Sequence, residues 1–224
     1  MLMSLLKDIF SPPRAGKNTN ENAGARSVLN VGGGSKGIAI PDYFAGWQHH
    51  LLDIDPRGGP DIVCDARELQ KLPAGSYDAV YCSHNLEHYY RHDGLKVLRG
   101  FVHVLNDTGF AEIRVPDIAQ VIAALRERQL ELDDVLYQSP AGPIAAHDVI
   151  YGLQTEIERS GQDFYAHKTG FTPKSLTKML LDGGFQKVFL TTDPLLAVHA
   201  LAFKAEPTVE HYALLGQAWN MRVE

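Results

Sequence analysis

Positive charge is in the minority: 21 Lys and Arg stand against 27 Asp and Glu, a net charge of -6 over 224 residues. No long Lys/Arg run breaks that balance. An acidic surface repels phosphate backbones, so no nucleic-acid partner is expected. Cysteine is scarcer still. Cys64 and Cys82 each lie near the end of an apolar run, and two such thiols read as buried and reduced, which fits a cytoplasmic protein. No apolar stretch is long enough to cross a bilayer, so no membrane association is expected. The first residues, MLMSLLKDIF, lack a basic leader and a small-residue cleavage site, and SPPR follows at once. They read as a short amphipathic helix or loose arm, and export is not expected. Internal repeats and low-complexity tracts are also missing.

What is present is alternation. Strand-like runs occur at 27–31, 50–54, 61–64, 77–82, 109–115, 186–192 and 196–204. Most are short and apolar, the pattern of strands covered on both faces. The run at 109–115 alternates more, so one of its sides is expected to be partly wet. Leu95, Leu98, Phe101, Val102 and Leu105 recur at helical spacing, as do Ile118, Val121, Ile122 and Leu125 behind an Asp117 cap. Thr172-Pro173 opens another helix, which Gly183 stops. The last two strands flank Asp193-Pro194 and read as an antiparallel hairpin. These signals give an α/β class: a doubly wound, mostly parallel sheet. Residues 1–25 read as an N-terminal arm, 26–205 as one domain, and 206–224 as a helical tail. Within the domain, about 131–171 is too long and too rich in breakers for a plain connection and reads as a cap or lid.

Polar residues collect where the parallel strands end. The first strand runs into Asn30-Val31-Gly32-Gly33-Gly34, a turn that lets a ligand approach the backbone. The second ends in Asp53-Ile54, with Asp53 21 residues after Gly32, near the spacing at which a carboxylate accepts from a ribose diol. The third ends in Asp65-Ala66, the fourth in Ser83-His84, the fifth in Pro116-Asp117. Ligands of open parallel sheets sit outside these carboxyl ends, so the recurrence outlines a nucleoside pocket. A dinucleotide needs a third glycine and a regular helix for its pyrophosphate. Here Lys36 and Pro41 intervene, and SKGIAIPDYFAGW looks too broken for a full helix. A nucleoside without phosphate, such as S-adenosylmethionine, fits better.

The segments VLNVGGGSKG, LLDIDP, DIVCDARELQKLPAGSYDAVYCSHNLEHYY and GFVHVLNDTGFAEIRVPD resemble class I methyltransferases of the methyltransferase-type-11-like branch. SYDAVYCSHNLEH is the most specific piece. The resemblance implies a Rossmann-like, seven-stranded sheet with the last strand antiparallel, and S-adenosyl-L-methionine as cofactor. It implies that Gly32 and Gly34 face the methionine part, that Asp53 holds the ribose, that Asp65 accepts from the adenine amino group, and that Ser83 lies beside the sulfonium. Asn30, Gly33, Ile54, Ala66 and His84 complete the expected cofactor site. Two positions depart from the pattern: Asn30 stands where an acid is usual, and Lys36 replaces the last glycine.

Methyl transfer from a sulfonium asks the protein to align a nucleophile, exclude water and, for a hydroxyl, remove a proton. His88, beside the expected donor, is one candidate base. His147, in a cap that also offers Tyr137, Asp148, Tyr151 and His167, is the other, with Asp148 or Tyr151 binding substrate. His84-Asn85-Leu86-Glu87-His88 matches the inverted zinc-protease pattern H-x-x-E-H. His92 extends that spacing, so the three histidines read as one face of a polar helix end over the pocket. The resemblance accounts for the pattern without zinc, and no metal ligand is assigned. The Asn/Asp-Pro-Pro-aromatic run of amino-methylating DNA enzymes is absent. The expected acceptor is a small molecule or saccharide-type hydroxyl or amine. Two alternatives stay open. An NAD(P)-dependent oxidoreductase needs an intact helix through 38–44. A non-catalytic S-adenosylmethionine-binding module is suggested by Asn30 and Lys36.

Overall fold

The computed structural model describes residues 25–139 and 142–221. The expected N-terminal arm, apart from Ala25, lies outside the described residues, as does the end of the tail. Seven strands form one sheet: β1 (Ser27–Val31), β2 (Gln48–Asp53), β3 (Ile62–Val63), β4 (Tyr77–Ser83), β5 (Leu105–Pro116), β8 (Lys187–Thr192) and β9 (Ala197–Phe203). Their order is β3-β2-β1-β4-β5-β9-β8. Only β9 runs against the others: it pairs antiparallel with both β5 and β8, while β1 to β5 pair in parallel. The order reverses between β1 and β4, and a crevice opens there at the carboxyl ends.

Both faces are covered. On one, α1 (Arg91–Val104) and α5 (Pro173–Asp182) bury Leu98, Phe101, Leu176 and Leu180 against Leu29, Val80 and Ile113. Pro173 at the first position and a Thr172 hydroxyl accepting from the Ser175 N–H start α5. On the other face, α6 (Val209–Trp219) and a short 3-10 turn at Asp42–Phe44 bury Leu215 and Phe44 against Val28, Ala79 and Phe110. The tail is therefore part of the core.

The expected wet side of 109–115 is not there. Glu112 is fully buried, its charge met by Arg114 at 2.7 Å, because this strand is central and covered on both faces. The segment 131–171 contains a hairpin that periodicity missed: β6 (Val135–Ser139) pairs antiparallel with β7 (Gly142–Ala145). With α2 (Ile118–Arg128) and α3 (Ala146–Tyr151) it builds a small satellite core around Val121, Leu136 and Val149. α4 (Gln154–Ser160) follows. No helix of the described residues is long and apolar enough to cross a membrane. Cys64 and Cys82 are free thiols.

Candidate active site

A cavity of about 910 Å³ opens at the carboxyl ends of the parallel strands. Its floor is the glycine turn after β1. Gly32 and Gly34 both have positive φ, at 72° and 68°, a region that only glycine enters cheaply. A side chain at Gly32 would strike the Asn85 amide at 2.1 Å, so the turn packs directly onto the end of β4. A side chain at Gly34 would meet only Ile38 at 3.6 Å. That glycine lies on the cavity wall with room in front of it.

Asp53 closes the turn from β2. Its Oδ2 accepts from the Gly34 N–H at 2.9 Å and its Oδ1 from the Asp55 N–H at 2.9 Å. The carboxylate is buried yet lines the cavity. A carboxylate has about four lone-pair sites, so roughly two remain for a ligand's hydroxyls. Asp65 also lines the cavity. It caps a 3-10 turn at Ala66–Lys71 and holds the Arg67 guanidinium in a forked pair. Burial pushes the Asp65 carboxyl up, but Arg67 outweighs this and the net displacement is downward.

Other expected residues lie elsewhere. Gly32, Gly34, Asp53, Ile54, Asp65, His84 and His88 line the cavity; Asn30, Gly33, Ala66, Ser83 and His147 are not among its lining residues. Asn30 is buried beneath Gly33, where an added side chain would meet it at 2.3 Å, and its Nδ2 stands 3.3 Å from His49 Nε2. It supports the turn from behind. Ser83 ends β4, and Asn85 takes the place beside the glycines. Lys36 folds back onto Asp61 at 2.6 Å, tying the loop to the start of β3. His147 stacks against Tyr151 at 5.0 Å, and Asp148 accepts from Ala145 and Gln154 backbone N–H groups.

The three histidines of the H-x-x-E-H region do not share one helix face. Leu86–His88 is a single 3-10 turn, Tyr89 is extended, and α1 begins only at Arg91, so His92 stacks on Tyr90 in the solvent.

The roof comes from α4, through Glu156 and Arg159, and a 3-10 turn at Asp163–Tyr165. The Tyr165 hydroxyl donates to Asp55 at 2.5 Å and accepts from Arg57 at 2.6 Å, and Arg57 also reaches Glu156 at 3.2 Å. Arg57 and the Tyr165 hydroxyl hold the Asp55 carboxyl well below the usual carboxylate range. Burial and Asp55 push the Tyr165 phenol up to about 12. Sequence reasoning missed this latch, whose partners stand 110 positions apart. It also missed Arg67, Asn85 and Lys168 on the wall.

Six carboxylates and four Lys/Arg cations line the cavity, a balance that suits a cationic ligand such as a sulfonium better than a pyrophosphate. Between β1 and β2 there is no α-helix, only the Asp42–Phe44 turn, so no helix N-terminus cradles a phosphate. The geometry thus disfavours the dinucleotide alternative.

Comparison with known proteins agrees. Residues 29–113 match the family described as methyltransferase domain. No curated protein matches the sequence significantly. Solved structures with a similar fold include a protein of Pyrococcus horikoshii OT3, with a TM-score of 0.56, 14% identity, and 80% of this chain and 82% of that one covered. An S-adenosylmethionine-dependent methyltransferase of Archaeoglobus fulgidus gives a TM-score of 0.51, 17% identity and coverage of 81% and 87%. One of Methanosarcina mazei gives 0.51, 15%, and 80% and 92%. Residues 29–113 thus match a methyltransferase domain, and the sheet around them has the fold of S-adenosylmethionine-dependent methyltransferases.

Proposed function

We propose that this enzyme methylates a hydroxyl or amine of a small-molecule or saccharide-type acceptor, bound with the cofactor under the cap. The cavity carries this reading. Its volume, about 910 Å³, lies in the upper range for small-molecule sites, which leaves space for an acceptor beside an adenosine-bearing donor. The roof over it excludes a nucleic-acid duplex, and the acidic lining repels a phosphate backbone.

The residues divide by position. Asp53 holds the ribose, and Asp65, with one side taken by Arg67, holds the base. The Gly34 backbone lets the methionine end approach, with Gly32, Gly33 and Asn30 shaping the turn behind it. Ile54, Ala66, Ser83 and His84 flank these groups at the strand ends. The cofactor supplies the methyl already activated on a sulfonium. The protein's task is to align the acceptor and exclude water, and alignment alone is worth roughly 7–11 kcal/mol of barrier. His88 is the wall residue placed to act on the acceptor. His147 serves the cap through its contact with Tyr151, and no proton transfer is assigned to it. We read 26–205 as the methyltransferase domain, 131–171 as its cap, and the free thiols as suited to a reducing cytoplasm.

The test is release of S-adenosylhomocysteine across an acceptor panel of sugars, phenols, small amines, and DNA and RNA oligonucleotides. Turnover is expected with a member of the small-molecule arm only. Turnover with an oligonucleotide alone overturns the reading.

A further inference from the structure

Beside the cavity, three side chains from distant segments converge in a way that methyl transfer as such does not require. A carboxylate oxygen of Glu87 and one ring nitrogen each of His88 and His167 lie within 4.8 Å of one another. The backbone builds this meeting. The Glu87 carbonyl accepts from the Lys168 and Thr169 N–H groups at 2.8 and 3.1 Å, and the His167 N–H donates to the Tyr151 carbonyl at 3.0 Å. The turn after β4 is thereby sewn to the end of the cap.

Both imidazoles are set in one tautomer. His88 Nδ1 stands 3.2 Å from the Ala166 carbonyl, and His167 Nδ1 stands 2.8 Å from the Val149 carbonyl. A carbonyl oxygen only accepts, so each Nδ1 carries the proton and each neutral ring keeps its lone pair on Nε2. A backbone carbonyl behind the non-ligating nitrogen is the usual support of a metal-binding histidine.

Glu87 supplies the second, independent observation. It is 1% exposed, and neither carboxylate oxygen has a hydrogen-bond partner. His84 Nδ1 comes no closer than 3.5 Å to Oε1. Burial pushes the Glu87 carboxyl up, but influences led by His84 outweigh it and the net displacement is downward. A buried carboxylate without hydrogen bonds is costly, and a cation bound between it and two lone pairs removes that cost.

We infer that Glu87, His88 and His167 form a site for one divalent transition-metal ion beside the cavity. Two imidazoles and one carboxylate suit zinc or another borderline first-row dication better than magnesium or calcium, which prefer oxygen ligands alone. Bonds of ~2.0–2.1 Å place tetrahedral ligands roughly 3.3 Å apart, closer than the 4.8 Å within which the three donor atoms lie, so binding draws them together. Of the three, His88 alone lines the cavity, so an ion held there would be reached by an acceptor oxygen or nitrogen from the His88 side. That use rests on the methyl-transfer reading, and on it His88 acts through the ion rather than as a base. The ion site itself stands without it.

The experiment strips the full chain with chelator and titrates it with Zn²⁺ by calorimetry, with Co²⁺ absorption as a second probe. One ion per chain is expected, at micromolar affinity or tighter. Glu87→Gln and His167→Ala are expected to weaken it at least about 100-fold while keeping S-adenosylhomocysteine affinity within about threefold. No stoichiometric binding in the wild type, or binding that both variants retain, overturns the proposal. Should either variant fail to fold, the wild-type stoichiometry decides alone. Zinc binding without S-adenosylhomocysteine binding refutes the cofactor reading and leaves the ion site in place.

Discussion

Replacing Asp53 separates cofactor recognition from fold more cleanly than any other change at the site. Its two oxygens each accept one backbone N–H, from Gly34 and Asp55, and the remaining lone pairs face the cavity. A hydrogen bond to a charged group is worth about 1.5–3 kcal/mol. Two ribose hydroxyls sharing one carboxylate therefore contribute about 3 kcal/mol at the low end, which is about 150-fold in affinity. Calorimetry with S-adenosylhomocysteine on wild type, Asp53→Ala and Asp53→Asn reads this directly. Asn keeps one acceptor oxygen, so its loss is expected to be the smaller. Thermal melts give an independent check. Ligand at 100 times the wild-type Kd adds about 2.7 kcal/mol to wild-type stability, but only ~0.3 kcal/mol if affinity has fallen 150-fold. In a chain of this size that is roughly 5–11 °C against roughly 1 °C. An Asp53→Ala variant that folds and binds with wild-type affinity refutes the argument, because no other described carboxylate is seated on the glycine turn.

Four further outcomes follow from the structure. Tyr165→Phe removes the hydroxyl that joins Asp55 and Arg57; amide exchange in the cap around 151–168 is expected to accelerate, and unchanged exchange contradicts a latch. Gly34→Ala has room for its side chain but keeps a positive φ, so it is expected to cost about 1–2 kcal/mol of stability and to weaken S-adenosylhomocysteine binding, which calorimetry beside a denaturant melt resolves. Leu215→Ala, at a fully buried position of α6, is expected to cost about 2–5 kcal/mol; an unchanged melting temperature means that the tail is not part of the core. His211 accepts the Thr208 N–H on Nδ1 at 3.0 Å, and burial together with Arg26 lowers its pKa. A folded pKa depressed below the unfolded value contributes stability above about pH 6.5 that is lost as pH falls through the folded value. The stability gap between wild type and His211→Gln, read from urea midpoints, is therefore expected to shrink between pH 7 and pH 5.

The sheet was legible because its strands are short apolar runs with an acid or small polar residue at each carboxyl end. The Asp117 and Thr172 caps are local signals and stand where the chain announces them. The broken segment after Gly34 was legible for the same reason, since Pro41 and the glycines act on their own neighbours. The rest is non-local. Nothing near Tyr165 in the chain points to Asp55, and nothing near His167 points to Glu87. The β6–β7 hairpin pairs two short segments whose alternation is too weak to register alone. Glu112 looked like a wet position because alternation reports polarity, whereas its burial depends on helices packed from elsewhere in the chain. The H-x-x-E-H spacing suggested one helix face, yet the ring that joins Glu87 and His88 is His167, brought in by backbone hydrogen bonds from the cap.

A crystal structure with S-adenosylhomocysteine bound tests the central claim most directly. The account places the ribose hydroxyls within hydrogen-bond reach of Asp53, the adenine at Asp65 and the amino-acid end over Gly34. Ordered ligand at any other edge of the sheet, or at this edge with Asp53 and Asp65 making no contact to it, contradicts the account.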